Sequence, residues 1–89
     1  MINFKITYSD RFKKNYKKLS NIEKKQVKNK LTLFTQNPTH PSLRTKKIKG
    51  VKNTWESSIN MDIRVIWIFE NEKYILLLDI GHHDIFDRF

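Results

Sequence analysis

The residues best suited to chemistry lie in the last third of the sequence, where His82 and His83 follow one apolar run and Arg64 lies in the run before it. Histidine has the unperturbed pKa closest to neutral pH of any side chain, so it can accept or donate a proton in a cell. Arginine stays charged and can hold two phosphate oxygens at once. These residues predict a compact site, formed without a metal ion, for a negatively charged substrate.

Length and composition restrict the class of protein. The chain has 89 residues and no cysteine, which predicts a single domain over residues 1–89 and excludes disulfide bonds and thiolate metal sites. Its apolar stretches are no longer than a strand, and its N-terminus does not resemble a signal sequence. We therefore expect a soluble, unprocessed protein of a reducing compartment, the cytoplasm, without membrane contacts.

The net charge of +9 is concentrated in the first 53 residues. Residues 1–35 hold ten lysines and arginines against two acids, residues 36–53 hold five against none, and the remainder is net acidic. The electric field of this positive charge attracts a polyanion, and nucleic acid is the commonest polyanion in cells. The alternative for residues 1–35 is that their lysines only solvate two helices.

The spacing of apolar residues predicts a strand and then a helix at the start of the chain. Residues 3–8 alternate between apolar and polar types, as in a half-buried strand. Ser9 or Asp10 can cap a helix that ends by about residue 19. The apolar stripe of this helix is formed by Phe12, Tyr16 and Leu19.

A second helix is predicted directly after the first. Ser20 and Glu23 have the spacing of a capping box, and Asn37-Pro38 ends the helix. The two helices should form an antiparallel hairpin whose apolar stripes cover a sheet. The residues expected to be buried on the second helix are Ile22, Val27, Leu31 and Phe34.

The rest of the chain predicts four strands that supply this sheet, giving the element order β-α-α-β-β-β-β. The first of the four is strongly charged, whereas the last two are apolar on both faces and should be central. The strands are expected at residues 43–49, 55–60, 63–69 and 74–80, with turns at 50–54 and 70–73.

Three segments of the sequence resemble the RelE/ParE superfamily of toxins from bacterial toxin–antitoxin modules. They are HPSLRTKKIKG at 40–50, WESSINMDIR at 55–64 and IGHHDI at 80–85, and their order and spacing extend the resemblance over essentially the whole chain. The resemblance implies an α+β fold in which a helical hairpin packs on one face of a twisted antiparallel sheet.

The resemblance also implies two activities that a shared fold does not separate. RelE- and YafQ-like members are mRNA interferases, ribosome-dependent endoribonucleases that cut messenger RNA in the decoding site. ParE-like members inhibit DNA gyrase without nuclease chemistry. Both imply a cognate antitoxin, which the surplus positive charge predicts to be acidic and to fold as it binds. The expected partners are this antitoxin, the ribosome and mRNA, with no metal or small-molecule cofactor.

For catalysis the resemblance singles out four residues. His83, two residues after Gly81, matches a functional histidine of YafQ-like toxins and is expected to be a general acid or base, and Arg64 matches an arginine of the RelE pattern and is expected to bind phosphate. His40 and Asp62 match a second functional histidine and an aspartate that orients a histidine or a ribose. Each has a structural alternative: a strand-end or loop histidine, an arginine paired with a carboxylate, or an aspartate in a turn. The carboxylates considered for the arginine pair are those of Glu56, Asp62 and Asp79.

RNA binding is expected to use the charged strand and the end of the chain. Basic residues need charge but little geometry to bind phosphates of messenger or ribosomal RNA. Phe86 matches a C-terminal aromatic that stacks on a base, or else it caps the core, and Trp55 and Trp67 are expected in the core. Consecutive strand residues point to opposite faces, so only one of His82 and His83 is expected to line the site, and His82 is the weaker candidate. The RNA-binding set is Arg44, Lys46, Lys47, Lys49, His82 and Phe86.

Two departures from the family pattern motivate a second hypothesis. Glu56, Ser57 and Ser58 stand where RelE-type toxins carry lysines, and Asp79 stands where YafQ-like toxins carry an arginine. The alternative function is therefore a ParE-like gyrase inhibitor, or a toxin whose chemistry has weakened to binding alone.

Overall fold

The computed structural model describes residues 3–83, which form five strands, two α-helices and one short 3₁₀ helix. The predicted order β-α-α-β-β-β-β is confirmed. The elements are β1 (Lys5–Tyr8), α1 (Asp10–Lys17), α2 (Asn21–Gln36), the 3₁₀ helix (Pro41–Leu43), β2 (Lys46–Lys47), β3 (Trp55–Ser58), β4 (Ile63–Phe69) and β5 (Tyr74–His82).

Both α-helices begin at the serines that the sequence indicates. Ser9 Oγ accepts a hydrogen bond from Phe12 N at 3.0 Å. Ser20 Oγ accepts from Glu23 N at 3.1 Å while Glu23 Oε1 accepts from Ser20 N at 2.8 Å, which completes the predicted capping box. α2 ends before Pro38, as predicted. Within residues 3–83 neither helix is long and apolar enough to cross a bilayer.

The strands form one sheet in the order β1-β5-β4-β3-β2. β2 to β5 pair antiparallel as expected, but β1 pairs parallel with β5, so the sheet is mixed rather than fully antiparallel. The two helices that follow β1 carry the chain from this edge of the sheet to β2 at the opposite edge, and the antiparallel strands then return to β5 beside β1. The α+β fold class is confirmed, and β4 and β5 are central as predicted.

The core lies where α2 covers β4. Phe34 meets Trp67 edge-on with ring centroids 5.0 Å apart, and Trp55 stacks on Trp67 at 6.0 Å. Trp67 is fully buried, and its Nε1 donates to Ser57 Oγ at 2.8 Å, so its polar atom is satisfied. Both tryptophans therefore contribute to the core, as predicted.

Two expectations about the elements are wrong. Ile22 is 73% exposed, because in the first turn of α2 it is Glu23 that faces the sheet, where it contacts His82, and Ile22 faces solvent. The charged strand expected over 43–49 is reduced to Lys46–Lys47. Arg44 adopts a left-handed backbone conformation with φ at 47°, which interrupts an extended strand.

A buried acid joins α1 to the sheet. Asp79 on β5 is fully buried, and its Oδ1 accepts hydrogen bonds from Asn15 Nδ2 at 2.6 Å and from Ile80 N at 2.8 Å. Within residues 3–83 its Oδ2 has no hydrogen-bond partner. A buried polar group that is only partly satisfied depends strongly on each bond that it makes. Asn15 therefore fixes α1 against β5.

Replacing Asn15 with alanine should lower the free energy of unfolding by about 1–3 kcal/mol, because Asp79 Oδ1 then loses its side-chain donor in a buried position. Urea denaturation followed by tryptophan fluorescence measures this change. Asn29→Ala is the matched control, since Asn29 is exposed on α2 and should change stability by less than about 0.5 kcal/mol. Equal stability of the two variants would show that the Asn15–Asp79 bond contributes nothing.

Candidate functional site

A cleft of about 230 Å³ opens between α2, the 3₁₀ helix and the turn that joins β3 to β4. Lys30, Arg44 and Arg64 line it, and none of its lining residues in the described part of the chain is acidic. Several cations around one cleft favour an anionic ligand such as a phosphate group. The other lining residues are Ser42, Ser58, Ile59, Asn60 and Met61.

Arg64 is held firmly at one wall of this cleft. Its Nε lies 3.3 Å from Glu56 Oε1, and its Nη1 donates to the carbonyl oxygens of Asn60 at 2.8 Å and Ile63 at 3.2 Å. Within residues 3–83, Nη2 makes no hydrogen bond, which leaves it available to a ligand. The ion-pair alternative is thus confirmed with Glu56 as the partner. It is compatible with phosphate binding, because the same side chain lines the cleft.

Glu56 is the group that orients Arg64. The β3–β4 register places Glu56 opposite Ile66 and Ser58 opposite Arg64, so Glu56 and Arg64 are diagonal neighbours on one face of the sheet. Glu56 is buried, and its Oε2 also lies 3.7 Å from Lys46 Nζ. A buried carboxylate needs such partners. The guanidinium is therefore fixed before any ligand arrives.

The turn between β3 and β4 is organised by Asn60. Its Oδ1 accepts hydrogen bonds from the backbone N–H groups of Asp62 and Ile63, both at 2.7 Å, and its Nδ2 donates to Gln26 Oε1 on α2 at 2.7 Å. Its carbonyl also accepts from Arg64. Asp62 lies exposed in this turn, as its structural alternative predicted, and its catalytic role stays a prediction.

The three histidines have different surroundings. His40 caps the 3₁₀ helix, with Nδ1 3.1 Å from Ser42 N and 2.9 Å from Ser42 Oγ, so the loop interpretation describes it. His82 Nε2 lies 3.1 Å from Glu23 Oε2. His83 is exposed at the end of β5, two residues after Gly81. Its role in proton transfer stays a prediction.

The sheet register fixes the face on which His82 lies. Gly81 is paired with Arg64, whereas His82 is paired with Ile63, whose side chain is buried in the core. His82 therefore points toward the helices and Glu23, on the opposite face from Arg64, and its hydrogen bond to Glu23 occupies the side chain predicted to bind RNA. His83 follows the last residue of β5, at the same end of the sheet as Arg64, and is not among the residues that line the cleft.

The His82–Glu23 pair also involves the start of α2. The backbone N–H of Ser20 bonds the Glu23 carboxyl and is the main cause that lowers the pKa of Glu23 from its usual value, and bonding to His82 lowers it further. The carboxylate is thus committed to the helix cap and to His82. Both partners are too exposed for the pair to add much stability.

The predicted RNA-binding residues divide between two places. Arg44 lines the cleft together with Arg64. Lys46 lies near the cleft, because it contacts Glu56, the carboxylate that also pairs with Arg64. Lys47 and Lys49 line a shallow depression of about 630 Å³ around the loop before β3, together with Lys52. Phe86 lies outside the described residues.

Sequence reasoning missed several cleft residues. Lys30 is one of many helix lysines in the sequence, and only the packing of α2 beside the β3–β4 turn brings it to the cleft. Glu56 was considered only as one of three possible carboxylate partners of Arg64. Its position two residues before Ser58, the strand partner of Arg64, singles it out once the register is known.

The fold is shared with toxins of solved structure. A chain of the RelE–RelB complex from Pyrococcus horikoshii OT3 superposes with a TM-score of 0.76 at 14% identity, covering 93% of this chain and 98% of that one. A chain of the E. coli DinJ–YafQ toxin–antitoxin complex gives 0.74 at 21% identity, covering 92% and 94%. The YoeB/ParE toxin from Agrobacterium tumefaciens gives 0.76 at 10% identity, covering 90% and 99%.

Comparison of the sequence, unlike that of the structure, finds no match. No protein-family model matches the chain, and no curated protein matches it. The solved structures nevertheless show that the chain has the RelE/ParE toxin fold, as the resemblance of its sequence segments implied.

Proposed function

We propose that this chain is the toxin of a toxin–antitoxin pair and a metal-independent endoribonuclease that cleaves ribosome-bound mRNA in the cytoplasm. The observation that carries the proposal is the cleft in which Lys30, Arg44 and Arg64 line one small space, with Arg64 already oriented by Glu56. The shared fold supports the toxin role, because RelE–RelB and DinJ–YafQ are solved as complexes. An acidic antitoxin fits the chain's charge of +9.

In this proposal the scissile phosphate is bound before the cleavage reaction begins. Arg64 binds the scissile phosphate through the nitrogen that its structural bonds leave available, and Lys30 and Arg44 neutralise the charge that builds up on the phosphorane. Attack by the ribose 2′-oxygen forms a cyclic phosphate and expels the 5′-oxygen. A base must take the 2′-hydroxyl proton and an acid must protonate the leaving oxygen.

His83 is the residue proposed for proton transfer. It is exposed, and it lies beyond Gly81, the strand partner of Arg64. Asp62 is one position before Ile63, the residue that pairs with His82, and is proposed to orient His83 or a ribose. His40 borders the cleft through Ser42 and is the second histidine candidate. Lys47 and Lys49 supply contacts to the RNA backbone.

A second candidate function is ParE-like inhibition of DNA gyrase. It is favoured by Glu56 and Asp79, which are buried carboxylates at positions where nuclease members of the family carry cations. The YoeB/ParE toxin also superposes with the same TM-score as the RelE chain, 0.76, so the fold does not favour one activity over the other. The basic surface around the cleft would then bind a protein or DNA without cleaving it.

Two assays on the purified chain separate these functions. Addition to a coupled translation reaction should stop protein synthesis and create new mRNA 5′ ends within codons, mapped by primer extension. Addition to DNA gyrase should leave supercoiling unchanged. Inhibited supercoiling with intact mRNA would replace the proposed function with the second candidate.

A further inference from the structure

A short hydrogen bond connects α2 to the turn between β3 and β4. Gln26 Oε1 accepts from Asn60 Nδ2 at 2.7 Å, and within residues 3–83 no other hydrogen bond joins α2 to residues 59–62 of the turn. Val27, the neighbour of Gln26, is buried in the core, so α2 packs on the sheet at this point in any case. Apolar contact is non-directional, whereas a hydrogen bond fixes both a distance and an angle.

The two ends of this hydrogen bond are connected to two different walls of the cleft. Lys30 follows Gln26 by four positions on α2, so both side chains lie on one face of the helix, about 6 Å apart along its axis. At the other end, the carbonyl oxygen of Asn60 accepts from Arg64 Nη1 at 2.8 Å. Lys30 and Arg64 line the cleft, and Gln26 lies behind it. The bond therefore joins the helix that carries one cation to the turn that holds the other.

Asn60 can transmit this constraint because both polar atoms of its side chain are bonded. Its Oδ1 accepts from the backbone N–H groups of Asp62 and Ile63, both at 2.7 Å, while its Nδ2 donates to Gln26. Rotation of the side chain would break all three bonds. Ile63 is the first residue of β4, the strand that carries Arg64. The constraint thus reaches Arg64 through its backbone as well as through its guanidinium.

The walls that this hydrogen bond joins are both positively charged. Lys30 and Arg64 repel each other when no anion lies between them. A phosphate that is bound by both cations requires them at one particular separation, since a misplacement of about 1 Å can lower a rate by about 10²-fold. A neutral pair of amides fixes that separation without adding a carboxylate that would compete with the phosphate.

We propose that Gln26 is a positioning residue for the cleft: its hydrogen bond to Asn60 sets the separation of Lys30 and Arg64 so that both cations bind one phosphate. The inference rests on the proposed function, because that phosphate belongs to the RNA that is cleaved. Gln26 acts through other residues and contacts no reacting atom. The competing explanation is that the bond only contributes to the stability of the fold.

The first test replaces Gln26 with methionine, which removes the acceptor at nearly constant side-chain length. Single-turnover cleavage at saturating RNA should slow by about tenfold or more. The melting temperature, followed by circular dichroism, should fall by about 5 °C at most, because the side chain is exposed. Gln36→Met is the matched control, since Gln36 is exposed on the same helix and its side chain makes no hydrogen bond within residues 3–83. It should change the rate by about twofold at most.

A second pair of variants tests whether Gln26 acts through Asn60. Asn60→Ser keeps a side-chain oxygen that can accept from the backbone of the turn, but serine is too short to reach Gln26. In the Asn60→Ser background, Gln26→Met should therefore change the rate by about twofold at most. A full tenfold loss in that background would show that Gln26 acts by another route.

Binding of a ligand that cannot be cleaved separates positioning from stability. A labelled 2′-deoxy oligonucleotide lacks the attacking hydroxyl, and fluorescence anisotropy measures its affinity. Lys30→Ala should weaken its binding by about tenfold in the wild-type background. In Gln26→Met the same change should cost about twofold at most, because Lys30 and Arg64 no longer share one phosphate. A purely structural role for Gln26 would leave the effect of Lys30→Ala equal in both backgrounds.

The two readouts distinguish failure of this proposal from failure of the nuclease. Equal cleavage by Gln26→Met and Gln36→Met, an effect of Lys30→Ala that is the same in both backgrounds, or no binding of the oligonucleotide to the wild-type chain would overturn the positioning role. If the wild-type chain cleaves no RNA but the effect of Lys30→Ala disappears in Gln26→Met, the nuclease is rejected and the positioning of the cleft by Gln26 stands.

Discussion

Replacing Arg64 with alanine is expected to lower the rate of RNA cleavage by about 10²–10³-fold, the usual cost of removing one preorganised group that stabilises transition-state charge. The guanidinium is fixed by Glu56 and by two backbone carbonyls, so its position does not have to be established when substrate binds. Single-turnover cleavage of a saturating RNA substrate measures the effect on the chemical step. Arg64→Lys should retain charge without the planar fork and give an intermediate rate.

Stability has to be separated from catalysis in this experiment. Arg64→Ala leaves Glu56 buried without its closest cation, and breaking a buried pair from one side costs about 3–5 kcal/mol. The double variant Glu56→Gln with Arg64→Met removes both charges and should therefore be more stable than Arg64→Ala. Glu56→Gln alone retains an acceptor for Arg64 Nε and serves as the control for that change. Unimpaired cleavage by the folded double variant would remove Arg64 from the mechanism.

The local elements were the most predictable part of the fold. Ser20 and Glu23 specify the start of α2 within four residues, and Pro38 specifies its end, because capping and proline sterics act over a single turn. The parallel pairing of β1 with β5 is different, since it depends on how the whole crossover packs. The left-handed backbone of Arg44 was equally unpredictable, because nothing about an arginine favours that conformation.

The candidate site was predictable only in part. Arg64 could be proposed from its residue type and its family motif, and the structure places it in the cleft. Its pairing with Glu56 depends on the β3–β4 register, and the approach of Lys30 depends on the packing of α2. Sequence therefore identifies residues capable of chemistry, whereas tertiary contacts determine which of them share a cleft.

Replacing His83 with alanine is expected to lower cleavage by about 10²–10⁴-fold, the range for loss of a general acid or base. The chain contains three histidines, so His40→Ala and His82→Ala are matched controls of the same chemical change. The side chains replaced in the two controls already make hydrogen bonds, His40 to Ser42 and His82 to Glu23. Their loss should alter local structure more than proton transfer and should reduce cleavage by less than about tenfold.

The pH dependence of cleavage distinguishes a catalytic His83 from a merely structural one. If His83 transfers a proton, the wild-type pH–rate profile should have a limb that is absent in His83→Ala, while both control variants retain it. A structural role would lower the rate equally at every pH and preserve the shape of the profile. A limb that disappears in His40→Ala and persists in His83→Ala would transfer the role to His40, which bonds Ser42 at the wall of the cleft. Retention of the limb in all three variants would show that no histidine carries the proton, which would leave charge stabilisation by Arg64 as the main contribution of the chain.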